Sequence, residues 1–202
     1  FLIEEFSNRQ IPVLINGEIT DVFYEKIDID SLSEADLLAM SYNKTGSIFA
    51  FAGMIGAMIG LNRCDREHPY VVAVQEFASK TGMAFQLVDD VINIIGKADA
   101  IGKPVGSDIL IGKRTIPIIY ALHHASEPDR SVLRGVFGNP EAQADDLAEA
   151  IRIIQRAGGV DHTQKMAYDL ASEALNQIEV LPESDYKQLI RLLGRRLVDR
   201  KT

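Results

Sequence analysis

The sequence predicts an all-α protein, and three observations carry that expectation. Apolar residues recur at helical spacing along nearly the whole chain, set among Ala, Leu, Ile, Glu and Gln. No run shows the strict alternation of a half-buried strand. Caps and breakers fall at helix-length intervals.

The periodic segments place helices over 1–26, 33–61 (with a break allowed inside it), 67–96, 114–125, 127–137, 141–157, 161–179 and 183–200. Ser33 ahead of Glu34 and Asp36 reads as a helix start. Pro69 suits a first helical turn. Pro140-Glu141 and Pro182-Glu183 read as two further openings. Gly60, Gly96 and Gly138 mark ends, and Gly158-Gly159 separates two helices. Gly53, Gly56, Ala57 and Gly60 put small residues at helical spacing, a signal of close helix packing. No low-complexity linker or internal repeat divides the chain.

The chain has 202 residues, 47% hydrophobic and 25% charged, enough for a core and for one or two domains. A net charge of -8 argues against nucleic acid and against an anionic membrane surface. The longest apolar stretch, Gly46 to Leu61, is shorter than the ~20 residues a membrane span needs, so a buried helix is expected and no stable membrane insertion. Cys64 is the only cysteine; no disulfide framework is possible, which suits a reducing cytosol. The chain opens at Phe1 in a helical pattern without the look of a signal peptide, and is read as an excerpt of a longer protein.

The informative helix runs from Ala84 to Gly96. At about 100° per residue, Gln86, Asp89 and Asn93 share a sector of roughly 60°, with Asp90 at its edge. The rest of the segment is Phe, Leu, Val and Ile, so a narrow polar stripe runs down a helix that is otherwise apolar. Burying adjacent carboxylates is costly unless they are paired or bind a metal. A salt-bridged core helix, a helix with one wet edge and a Mg²⁺-phosphate site all answer that requirement. The loop that follows, Gly102-Lys103-Pro104-Val105-Gly106-Ser107-Asp108 to Gly112-Lys113, sets two lysines about glycine turns, as an ordinary solvated loop or a phosphate site does. It lacks the spacing of a Walker loop. Upstream, Lys44 in Asn43-Lys44-Thr45-Gly46 sits in an apolar helical pattern and either snorkels or meets an anion.

These segments, in this order, resemble the trans-type polyprenyl diphosphate synthases. Lys44-Thr45-Gly46 matches that family's Lys-Thr-Gly. Phe85-Gln86-x-x-Asp89-Asp90 matches its second aspartate-rich motif, and Gly102-Lys103-Pro104-x-Gly106-Ser107-Asp108 with Gly112-Lys113 matches the loop beyond. Gly17-x-x-x-Asp21 resembles its Gly-Gln-x-x-Asp. The likeness covers about residues 15 to 120. It implies an all-α helical bundle around a central active-site cavity. Residues 1–202 would be the C-terminal part of a single isoprenoid synthase domain, with N-terminal helices missing from this chain. It further implies a cytoplasmic homodimer that condenses an allylic diphosphate with isopentenyl diphosphate, with Mg²⁺ as cofactor. On the resemblance Asp89, Asp90, Asn93 and Asp108 form the metal set. Lys44, Lys103 and Lys113 bind the allylic diphosphate. Lys44, Thr45 and Gln86 stand at the reacting centre, Thr45 and Gln86 as candidates for assisting proton loss, with diphosphate itself as the alternative base.

Two positions depart from the family pattern. Asn93 stands where Asp is common, and Glu18 where Gln is usual. The family's first aspartate-rich motif and its isopentenyl diphosphate site are not found in this sequence. Two other readings therefore stand beside the synthase: a catalytically silent or regulatory partner subunit of a complete synthase, and a related prenyl diphosphate cyclase, from which the lysine-rich loop points away. His123-His124 and Arg195, Arg196, Arg200 and Lys201 read as helix ends.

Overall fold

The computed structural model describes residues 1–96 and 105–199, and among them there is no strand. The helices are α1 (Leu2–Glu5), α2 (Ile11–Tyr24), α3 (Glu34–Ser41), α4 (Ser47–Gly60), α5 (Pro69–Ile95), α6 (Ser107–Leu110), α7 (Ile116–His124), α8 (Glu127–Val136), α9 (Ala144–Arg156), α10 (Gly159–Gln177) and α11 (Asp185–Val198). The all-α expectation holds, and each long periodic segment is a helix. No helix among the described residues is long and apolar enough to cross a membrane.

Two of the expected helices are continuous only through a wide π-helical turn. Phe6–Gln10 joins α1 to α2, with Ile11 N–H donating to Phe6 O, five residues back. Pro12 explains it: a proline inside a helix lacks the N–H, and its ring crowds the carbonyl four residues back, so the chain widens locally. Tyr42–Gly46 joins α3 to α4 in the same way, with Ser47 N–H donating to Tyr42 O.

The terminators divide by mechanism. Ser33 Oγ accepts from Asp36 N (3.2 Å) while Asp36 Oδ2 accepts from Ser33 N (2.9 Å), a reciprocal cap. Pro140 does not open a helix, contrary to expectation. Asn139 Oδ1 accepts from Glu141 N at 3.1 Å, so Pro140 lies in an Asx turn and α9 starts later, at Ala144. After α4 the left-handed residue is Asn62 (φ 49°), not Gly60. Of the three glycines on α4, only Gly53 is in close contact: a Cβ there would lie 2.7 Å from Ala78 Cβ, whereas Gly56 and Gly60 face open space.

The described residues form two compact units, 1–20, 38–86 and 167–199 in the first and 21–37, 87–96 and 105–166 in the second. In the first, Met54, Met58 and Val71 cluster with Phe51 and Ile55, and Phe77, Ala174 and Ile178 with Leu175, Leu181 and Ile190. In the second, α7, α8 and α9 pack on one another. Ile116, Ile118, Ile119, Leu122, Leu133, Ile153 and Ile154 are almost wholly buried there. Each such side chain contributes about 1.5–3 kcal/mol of apolar burial.

Candidate active site

In the first unit the site residues are gathered by the wide turn at Tyr42–Gly46. Gly17 of α2 lies directly under it: a Cβ at that position would sit 2.3 Å from Lys44 N and 2.6 Å from Asn43 C. Only a glycine admits backbone so close. That approach brings Glu18 beside the turn, and Glu18 Oε2 lies 2.9 Å from Lys44 Nζ. The next residue, Thr45, donates its hydroxyl to Gln86 Oε1 of α5 at 3.0 Å. Gly46 packs against Met83, where a Cβ would meet Cγ at 3.1 Å. Thr45 and Gln86 are thus brought together as the sequence motifs suggest.

In the second unit α5 carries Asp89, exposed, and Asp90, only 6% exposed. One turn on, Asn93 reaches the turn at 106–108. Its Nδ2 donates to Ser107 Oγ (2.9 Å), its Oδ1 accepts from Asp108 N (3.2 Å), and its backbone carbonyl accepts from Gly106 N (2.7 Å). Gly106 has φ 75° and backs onto Leu147, 2.9 Å from where a Cβ would stand. Asp108 O accepts from Lys113 N at 2.8 Å, and Lys113 Nζ lies 3.9 Å from Asp108 Oδ2, near but not hydrogen-bonded. Beside it Arg114 donates to Gly112 O and to Ile27 O (2.7 Å) and lies over the Phe137 ring at 5.2 Å. Burial is the main cause that lowers the Arg114 pKa from its usual value, opposed by Glu25 and Asp28.

The donor set fits one kind of metal site. Among the described residues no group of three or more His, Cys, Asp or Glu side chains is placed to hold a metal. A fully protein-built cage is therefore not on offer there. An adjacent pair of carboxylates is what Mg²⁺ uses when waters and substrate phosphates complete its shell. Asp89, exposed on α5, offers one solvent-facing carboxylate of that kind, with the 6% exposed Asp90 next to it.

Of the expected residues, the structure joins Thr45 to Gln86, Asn93 to Asp108, and Asp108 to Lys113. Lys103 lies outside the described residues. Two features were not legible in sequence. Ser107 is a partner of Asn93, which fourteen residues of separation conceal. Glu18, noticed only as a departure from a pattern, is a direct partner of Lys44; the four-residue spacing of Gly17 and Asp21 gave no sign of it.

The chain matches the polyprenyl synthetase family over residues 2–154 and belongs to that family. It is 31% identical over 189 residues to the short chain isoprenyl diphosphate synthase of Methanothermobacter thermautotrophicus, covering 93% of this chain and 55% of that protein. It is 31% identical over 188 residues to the octaprenyl diphosphate synthase of Haemophilus influenzae, with the same coverage. The geranylgeranyl pyrophosphate synthetase of Pyrococcus horikoshii superposes with a TM-score of 0.86 at 28% identity, over 99% of this chain and 58% of that one. The polyprenyl synthase of Caulobacter crescentus, solved with calcium and isoprenyl diphosphate, gives 0.87 at 26% identity, over 98% and 58%. The chain thus spans little more than half the length of these relatives. Short-chain and octaprenyl synthases match at the same identity, so identity selects no product length.

Proposed function

We propose that this chain is the diphosphate-binding, C-terminal part of a single isoprenoid synthase domain, a prenyltransferase that joins an allylic diphosphate to isopentenyl diphosphate. The observation that carries this reading is the Thr45–Gln86 bond at 3.0 Å. It joins the Lys44-Thr45-Gly46 turn to Gln86 of α5 within the first unit, two of the segments that carry the resemblance. Lys44 and Lys113 bind the allylic diphosphate through their ammonium groups, with Lys103 assigned alongside them from the sequence. Asp89 ligates Mg²⁺ directly, Asp90 supports the metal and its waters, and Asp108 orients metal-bound water or Lys113. The metal, when bound, supplies charge neutralisation to a departing diphosphate. Thr45 and Gln86 lie beside the carbon that reacts, where their oxygens face a developing allylic cation and accept or relay a proton. The reading makes the protein a cytoplasmic homodimer.

Calorimetry with inorganic diphosphate tests the binding claim. Diphosphate should bind in Mg²⁺ more tightly than in EDTA, and Asp89→Ala should weaken the Mg²⁺-dependent binding by about tenfold or more. Equal affinity in Mg²⁺ and EDTA would count against the site.

A further inference from the structure

Asn93 is 6% exposed, and its amide has protein partners at both ends. Nδ2 donates to Ser107 Oγ and Oδ1 accepts from Asp108 N, while the Asn93 carbonyl takes Gly106 N. Three consecutive residues of the turn are each tied to this one residue of α5. The backbone of the last of them, Asp108, in turn accepts from Lys113 N. A carboxamide suits this task because it offers a donor and an acceptor side by side. Turning Oδ1 toward a cation would give up both side-chain bonds, and the Nδ2 hydrogens repel positive charge.

We infer that Asn93 is a positioning residue that clamps the 106–108 turn to the end of α5, setting Asp108 and Lys113, and that it does not ligate the metal. The clamp stands on the geometry alone; its consequence for diphosphate rests on the function proposed above. The position is one where the resembling family commonly has Asp. Asp keeps the acceptor for Asp108 N–H, and the Ser107 hydroxyl can rotate to donate to it. Ala keeps neither bond.

The test combines amide hydrogen exchange with calorimetry of inorganic diphosphate in Mg²⁺, on the 202-residue chain. In Asn93→Ala the Asp108 amide should exchange about five- to tenfold faster, the scale of one lost hydrogen bond. Diphosphate should bind severalfold more weakly, with the Mg²⁺ concentration at half-saturation unchanged. Asn93→Asp should restore Asp108 protection and leave both binding quantities within about twofold. Ser107→Ala, which removes only the Nδ2 partner, guards against a misfolded Ala variant and should give an intermediate exchange rate. Unchanged Asp108 exchange in both Asn93→Ala and Ser107→Ala would overturn the clamp. So would a tenfold fall in the Mg²⁺ requirement of Asn93→Asp, since that marks a ligand. If the wild-type chain binds no diphosphate, the functional reading fails, while the exchange rates still judge the clamp.

Discussion

At the scale of single residues, the pair between Glu18 and Lys44 sets how much positive charge the wide turn offers a ligand. The two groups are 2.9 Å apart and partly open to solvent, so a diphosphate approaching Lys44 competes with a carboxylate already there. Where Gln stands at this position, as is usual in the resembling family, that competition is absent. Glu18→Gln should therefore tighten binding of inorganic diphosphate. At an effective dielectric near that of water, removing one charge at ~6 Å from a trianion is worth about 1–2 kcal/mol, or roughly five- to thirtyfold at low ionic strength. The gain should shrink in ~0.5 M salt, where the Debye length is only a few ångströms. Calorimetry at two salt concentrations reads both effects. A salt-independent change, or none, would mean that Glu18 does not contest the ligand. Gly17 makes the pair possible, and Gly17→Ala should disturb it by driving the backbones apart.

At the scale of elements, α11 shows how the start of a helix is secured by charged side chains. Lys187 is 3% exposed and donates to Glu179 O (3.1 Å), Leu181 O (2.8 Å) and Glu183 Oε1 (2.7 Å). Arg191 meets Glu179 at 2.7 Å and Glu183 at 3.2 Å. Lys187→Met should cost about 1–3 kcal/mol, since two carbonyls lose their donor, and a thermal melt would register it. The Arg191 hydrogen bond chiefly holds the Glu179 pKa below its usual 4.5, and the Lys187 hydrogen bond chiefly does so for Glu183. Folded values below unfolded ones stabilise the fold above pH ~4.5 and lose that contribution as pH falls through the folded values. Arg191→Met should therefore flatten the fall in Tm between about pH 4.5 and 3; an unchanged slope would show the pairs to be inert. The long helices were legible because their period is strong. Pro12 was present in the sequence, yet a proline inside a helical pattern does not announce whether the chain breaks or widens. Pro140 misled because the same proline suits a helix start and an Asx turn, and Asn139 decided between them. The short helix α6 has local bonds, Ile109 N and Leu110 N to Gly106 O, but Asn93 and Gly138 add bonds from outside it, so no window of sequence contains the whole of its cause.

At the scale of the whole molecule, family membership and chemistry place different demands on this chain. The motifs of the candidate site were legible because they are local: Lys44-Thr45, Gln86 with Asp89-Asp90, and Asp108 with Lys113 each lie within a few residues of one another. The Thr45–Gln86 and Asn93–Asp108 bonds come from the fold, and no short motif encodes them. A departing diphosphate carries about three negative charges, and metal-assisted departure supplies several kcal/mol of its stabilisation. The sequence offers Asp89 and Asp90 for that purpose, and among the described residues no cluster of three acids supplements them. Mg²⁺ held by one carboxylate pair serves binding, but the synthases this chain resembles hold further Mg²⁺ ions on a first aspartate-rich motif that is not found here. The 202-residue chain on its own should therefore bind Mg²⁺-diphosphate and yet incorporate no labelled isopentenyl diphosphate into acid-labile product. Joined to a segment that supplies a first aspartate-rich motif, it should incorporate label with at least one allylic primer of five to twenty carbons. In that active form Asp89→Ala should lower kcat by about 10² or more, because the metal acts on the transition state as well as on binding. Lys113→Ala should raise KM for the allylic diphosphate, with a smaller loss in kcat. Failure of that longer protein with every primer would sink the synthase reading. Turnover that appears only when a second, complete synthase is added, and changes with the amount of this chain, would establish the partner subunit in its place.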